Sequence, residues 1–363
     1  MSLRQSFAEI AVALELPGAD KNKNFEENQI KVLRWLEKTD KHWLLIFDNA
    51  ERGQLLKSYW PRKAAGSILL TSRSLFNFAN EESRAGDNIP LFSPDERWDF
   101  LMQLLGDDWA NNHLGGARGQ HEKRAAKALM DRLGGLALAI SQAATLILER
   151  KVTGDTSIVT FLNQFEAQRQ RLPPRQIGHR DNLIHALDTV WSIALDALSD
   201  NARSLLGVFA LLSPDSIPVD LFLPSNQSRL DGKLSFCKQS GGSSAVAMSV
   251  EMQAAIDELI DARLIQQDDR NFVIHRVIQE AMIGVYDDIH ALQGSFDAAT
   301  QLLHEAFPVQ LQGRPLHKEW PRCQTYVQHV GRLSKLFIEF RKGQDDRFNP
   351  SLDFVRLLSN CGW

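Results

Sequence analysis

The sequence predicts an α/β sheet near the amino terminus followed by all-α domains, and three observations carry that class. Trp43-Leu44-Leu45-Ile46-Phe47 is a continuous apolar run stopped by Asp48-Asn49, the pattern of a strand covered on both faces in a parallel sheet. Ile68-Leu69-Leu70 is a second run, ending in Thr71-Ser72-Arg73, with a helix-sized segment before it; strand, helix, strand implies parallel pairing. From Ser93 onward the pattern turns helical.

Residues 4–16 and 26–38 place Phe7, Ile10 and Leu14, then Ile30, Leu33 and Leu36, at helical spacing, with the loop PGADKNKN between them. Ile89-Pro90-Leu91 reads as an edge strand, because proline cannot donate to a ladder. Ser93-Pro94-Asp95-Glu96 is a helix start, with Ser93 as cap and proline in the first turn. Helices are expected at 121–133 and 136–150, interrupted by Gly134-Gly135. Residues 151–182 are polar, with a boundary at Pro173-Pro174, and helices follow at 186–198 and 201–212. The stretch 225–249 is rich in serine and glycine and reads as a loop. A helix at 250–263 leads into two short apolar runs around Asp268-Asp269-Arg270-Asn271, a β-hairpin. Helices followed by a hairpin give the order of a winged helix. The remainder, 277–363, is helical with a break around Gly313–Pro315. The expected domains are 1–92 (α/β), 93–175 (helical), 176–290 (winged helix) and 291–363 (helical).

Composition narrows the function classes. A chain of 363 residues, 44% apolar and 24% charged, suits a soluble protein of several small domains. The net charge of −4 gives no support to nucleic-acid binding, which demands a basic face. Cys237, Cys323 and Cys361 are far apart and form no C-x-x-C pair, so neither a disulfide framework nor a zinc site is expected. No apolar run approaches the roughly 20 residues of a membrane span. Glu9 and Glu15 within an amphipathic pattern mark the first residues as a surface helix rather than a signal peptide. A reducing, cytoplasmic setting is the expectation.

Four segments carry chemistry. The run ending in Asp48 resembles a Walker B motif: a carboxylate at the carboxyl end of a buried strand lies where open α/β sheets bind ligands and can hold Mg²⁺. Asn49 follows, an uncharged residue that is a poor base for activating water. Gly66-Ser67-Ile68-Leu69-Leu70-Thr71-Ser72-Arg73 ends the next strand, where the Arg73 guanidinium can approach the terminal phosphate of a nucleotide. Gly134-Gly135-Leu136-Ala137-Leu138-Ala139 resembles a GLPLA motif, in which glycines turn the chain into a helix whose first turn lies near base or phosphates. Ala137 stands where that motif has the proline that packs on adenine. His275, after Phe272-Val273-Ile274, occupies the position of an MHD-like histidine, able to bond the β-phosphate of ADP; Arg276 replaces the acid. Each segment also has a plain reading: a strand end, a solvated arginine, a helix break, a hairpin histidine.

In order and spacing, residues 1–290 resemble the NB-ARC region of fungal NOD-like receptors, members of the STAND class of signalling ATPases. The tail from Phe296 through Glu319-Trp320-Pro321-Arg322-Cys323-Gln324 is similar to the helical lead into tetratricopeptide arrays. The resemblance implies an ADP/ATP switch with Mg²⁺, protein partners, self-oligomerisation and a role in innate immunity. It implies nucleotide contacts from Arg73, Gly135, Leu136, Ala137 and His275, metal binding by Asp48, and a truncated P-loop-type sheet. It requires Asp48 and Arg73 at one sheet edge, facing His275 across an interdomain cleft.

No G-x-x-x-x-G-K-[ST] occurs in the sequence. That loop supplies the backbone cradle and the lysine for the phosphates, so weak nucleotide binding is expected. The expectation is that Met1 begins downstream of the loop of a longer receptor. A non-enzymatic helical scaffold is the alternative. A winged-helix DNA binder is disfavoured, because the would-be recognition helix 251–263 carries Glu251, Asp257, Glu258 and Asp261 against one arginine.

Overall fold

The computed structural model describes residues 3–20, 25–50, 53–62, 66–72, 87–149, 155–172, 179–214, 216–223, 232–237, 248–268, 270–284, 289–309, 319–343 and 348–362. The chain is mostly helical, with a two-stranded parallel sheet and a three-stranded antiparallel one. It divides into two compact units, residues 1–89 with 317–324, and 90–316 with 325–363.

In the first unit, α1 (Leu3–Ala13) packs on α2 (Phe25–Lys38), and strand β1 (Leu44–Phe47) pairs in parallel with β2 (Ser67–Leu70). Between the strands lie α3 (Gly53–Leu56) and a 3-10 turn, Lys57–Tyr59. Phe7, Val32, Leu36, Leu45, Phe47 and Tyr59 form the core. Trp43 donates its indole N–H to Leu36 O at 3.1 Å and lies over Gly66, where a Cβ would come within 2.1 Å of the ring. The expectation of a strand covered on both faces is corrected: Leu44 and Ile46 are exposed, as is Leu69 on β2. Leu45 and Phe47 alternate with them on the covered side, so this strand follows the period-two rule of a sheet buried on one face.

In the second unit, α4 (Pro94–His113) starts with a full capping box. Ser93 Oγ accepts the Glu96 N–H, and Glu96 Oε2 accepts the Ser93 N–H at 2.8 Å, which holds the Glu96 carboxyl below its ordinary range. Upstream, Ile89-Pro90-Leu91 is irregular and Ile89 is almost fully exposed, so the expected edge strand is absent. Helix α5 (Gly116–Leu133) ends at Gly134, and α6 (Ala137–Leu148) follows. Within 151–182, expected to be polar, lies the helix α7 (Ile158–Arg171), anchored by buried Ile158 and Phe161. Its start is held from α5: the buried Glu122 accepts Ser157 Oγ–H at 2.6 Å and the Ile158 N–H at 2.9 Å.

Helix α8 (His179–Ala197) lies against α6 and α7, and α9 (Asp200–Leu211) begins the next group. Strand β3 (Ile217–Pro218), helix α10 (Val250–Asp261), β4 (Ile265–Asp268) and β5 (Asn271–Ile274) follow, with sheet order β3-β5-β4, all antiparallel. Phe209, Phe222 and Phe272 interlock as its aromatic core. Part of the expected loop 225–249 is a 3-10 helix, Gly232–Cys237; burial pushes the Cys237 thiol up to about 12, which keeps it unreactive. Helices α11 (Arg276–Gly284), α12 (Ile289–Ala306), α13 (Trp320–Gly343) and α14 (Leu352–Cys361) complete the chain, with Phe296, Phe337, Phe348 and Phe354 packed together. The His329 imidazole on α13 is fully buried, and its Nδ1 accepts the Ser213 N–H at 3.0 Å. No helix among the described residues is long and apolar enough to cross a membrane.

Candidate functional site

The parallel register Phe47↔Leu70 brings the residues after each strand side by side. Asp48 is exposed at the carboxyl end of β1, and its Oδ1 accepts the Thr71 Oγ–H at 2.5 Å. Thr71 Oγ1 also accepts the Asn49 N–H at 2.8 Å. The Thr71 backbone donates to Phe47 O at 3.0 Å and accepts from the Ala50 N–H at 2.9 Å. Asn49 has φ 54°, a left-handed turn that asparagine tolerates. Arg73 lies outside the described residues. Thr71 is the site residue to which sequence reasoning gave no role. The signal was present in the run ends: Asp48 and Thr71 are each the first polar residue after an apolar run, and parallel pairing with Phe47 opposite Leu70 makes them neighbours.

In the second unit, Gly134 and Gly135 have φ of 65° and 79° and turn the chain from α5 into α6. Gly135 is buried; its C=O accepts the Phe92 N–H at 3.0 Å, and Phe92 O accepts Arg97 Nε–H at 2.8 Å. A Cβ on Gly135 would come within 2.5 Å of Phe92 O. The glycine is therefore required by the close passage of the chain entering α4. Leu136 is the half-buried N-cap of α6 and makes no side-chain cap bond; Ala137 is exposed at its first turn.

His275 is exposed between β5 and α11. Its C=O accepts the N–H groups of Ile278 and Gln279, and its Nδ1 accepts the Val277 N–H at 3.3 Å, so it caps α11. Asp48 and His275 belong to different compact units. Gly135 and His275 share a unit but stand at separate junctions, α5–α6 and β5–α11.

Residues 193–288 match a family described as a domain of unknown function, DUF7779. The match begins inside α8 and takes in α9, the whole antiparallel sheet, α10, His275 and α11. No curated protein matches the chain.

A cleft of about 470 Å³ opens where α6, α8 and α10 end, lined by Leu148, Glu149, Ala197, Glu258, Asp261 and Arg263 among others. Gln142 ties its wall together by donating Nε2–H to Arg263 O at 2.9 Å. None of Gly135, Leu136, Ala137 or His275 lines it. Among the described residues no cluster of three or more His, Cys, Asp or Glu is placed to hold a metal ion. Asp48 is exposed and is held through one oxygen by the Thr71 hydroxyl; a magnesium ion that arrives bound to phosphates takes one or two carboxylates from a protein, so a lone carboxylate of this kind is compatible with such an ion.

Proposed function

We propose that this chain forms the switch region of a STAND-class signalling ATPase of the NB-ARC type, acting in the cytoplasm, in which ADP or ATP with Mg²⁺ sets the arrangement of the domains. The observation that carries the reading is the in-register parallel pair that ties Asp48 of the Walker B-like segment to Thr71 of the segment ending in Arg73. Parallel pairing with an acid at the carboxyl end is the geometry in which open α/β sheets take nucleotides. The helix–strand–helix–hairpin order over 200–274, with β5 central in its sheet, supports a winged-helix domain, and His275 at its end fits the MHD-like position. The acids Glu251, Asp257 and Asp261 are exposed on α10, which disfavours a DNA-binding use of that domain. Helices α12–α14 fit a lead into tetratricopeptide-type repeats, which bind proteins and serve self-assembly.

Asp48 would hold the magnesium ion, which neutralises phosphate charge. Arg73, Gly135, Leu136, Ala137 and His275 would contact the nucleotide. Lacking G-x-x-x-x-G-K-[ST], the chain binds nucleotide weakly. The alternative, a helical interaction scaffold with a degenerate site, draws on Asn49, Ala137 and the packing explanation for Gly135.

Titration of the full chain with millimolar MgADP, followed by amide chemical shifts, tests the reading. Shifts confined to residues 48–50, 135–137 and 275 are expected. Saturating MgADP that leaves all three places unmoved would overturn the switch in favour of the scaffold. Micromolar affinity would refute the part assigned to the missing loop.

A further inference from the structure

The Asp48 carboxylate is exposed, yet one of its oxygens is committed. A hydroxyl has one proton and two lone pairs. The Thr71 proton goes to Asp48 Oδ1, and one lone pair takes the Asn49 N–H. With its two backbone bonds, to Phe47 O and from the Ala50 N–H, Thr71 brackets the whole turn after β1. The residue beyond β2 thus holds the side chain that ends β1.

We infer that Thr71 is the positioning residue that presents Asp48 as a one-oxygen ligand to a small divalent cation carried on a polyphosphate, favouring Mg²⁺ or Mn²⁺ over Ca²⁺. The inference rests on the nucleotide reading and adds selectivity to it. Calcium accepts carboxylates through one or both oxygens in flexible shells of six to eight ligands, whereas magnesium demands a near-ideal octahedron. An exposed aspartate otherwise rotates freely and can offer both oxygens. The hydroxyl at 2.5 Å occupies one of the two acceptor sites of Oδ1 and fixes the carboxylate's orientation, which leaves Oδ2 as the more open oxygen and disfavours two-oxygen binding. The threonine acts through the carboxylate, as outer partners of metal ligands do.

The test uses the full, isotope-labelled chain with Mn²⁺ and ADP as a paramagnetic probe. Broadening of amides 48–50 and 71–72 is read against Mn²⁺ concentration. Thr71→Ser should match the native chain. Thr71→Val should need about 10-fold more Mn²⁺ for the same broadening, and Ca²⁺ should displace the probe more readily from it than from the native chain. A role confined to holding the turn would not change the Ca²⁺ competition. Thr71→Cys, a weaker donor of similar size, takes the place of valine if valine lowers the folded fraction. Asp48→Asn separates the two levels. If broadening persists in Asp48→Asn, or is absent from the native chain at millimolar Mn²⁺, the nucleotide reading fails and the inference with it. If Asp48→Asn abolishes broadening while Thr71→Val and Thr71→Cys both match the native chain, the inference alone fails.

Discussion

Replacing Gly135 by alanine is the sharpest probe of the α5–α6 junction. At φ 79° an L-residue costs about 1–2 kcal/mol in a left-handed conformation. The added Cβ would stand 2.5 Å from Phe92 O and 2.7 Å from Arg97 Nε, where carbon–oxygen contacts ordinarily begin near about 3.3 Å. Relief requires the 92–97 segment to withdraw. That gives up the Phe92 N–H bond to Gly135 O and disturbs the charged Arg97 bond to Phe92 O. A neutral bond contributes about 1 kcal/mol and a charged one about 1.5–3 kcal/mol. The expected loss is about 3–5 kcal/mol, or a melting point lower by on the order of 10 °C for a unit of this size.

Thermal and urea unfolding of three alanine variants separates the causes. Gly106 has φ 81° and nothing within 4 Å of its added Cβ, so Gly106→Ala reports backbone strain without a clash, about 1–3 kcal/mol. Gly331 lies within α13, exposed and uncrowded, so Gly331→Ala should stabilise by about 0.5–1 kcal/mol. If Gly135→Ala costs no more than Gly106→Ala, the close passage of Phe92 and Arg97 does not determine the glycine.

Two further outcomes follow from buried groups. Burial lowers the His329 imidazole from about 6.5 to about 4, so the folded state keeps it neutral while the unfolded chain protonates it. This stability is complete above pH 6.5 and is lost as pH falls toward 4, by about 2 kcal/mol between pH 6.5 and 5. Urea unfolding across that range should show the slope, and His329→Gln should flatten it; an unchanged slope in the variant refutes the assignment. Glu122→Ala leaves the Ser157 hydroxyl and the Ile158 N–H without their charged acceptor and should cost about 3 kcal/mol, with Glu122→Gln intermediate; equal stability of both variants and the native chain would show that the bonds are replaced.

Much of the fold was legible because its signals are local. The spacing of Phe7, Ile10 and Leu14, then of Ile30, Leu33 and Leu36, announced α1 and α2, although Ile30 is exposed and Val32 takes the buried place; Ser93-Pro94-Asp95-Glu96 announced α4, and the hairpin of β4 and β5 followed from two short runs and a polar turn. What failed depended on neighbours. Leu44 and Ile46 look like core in sequence, but whether a sheet face is covered is decided by elements outside the strand. Ile89 and Leu91 alternate around a proline, yet pair with no strand. Helix α7 buries chiefly Ile158, Phe161 and Phe165, and its start depends on Glu122 from α5, which no local window contains. In the site, Asp48 lies where the sequence placed it, at a strand's carboxyl end. Thr71 was quoted in its motif without a task, because the bond that gives it one runs between strands.

The functional weight therefore falls unevenly on the predicted residues. Gly135 has a sufficient cause in packing, since any larger residue would strike Phe92 O. His275 has a sufficient cause as the cap of α11, a task that serine, asparagine or aspartate performs equally well. Asp48 has no such local cause. An asparagine there would accept the same Thr71 hydroxyl through its amide oxygen, and the turn at Asn49 would be held as before. The fold needs an acceptor at position 48; it does not need a negative charge exposed to solvent there. The charge is what a divalent cation requires, and so the Asp48→Asn variant, neutral for folding and decisive for metal, is the point on which the nucleotide reading turns.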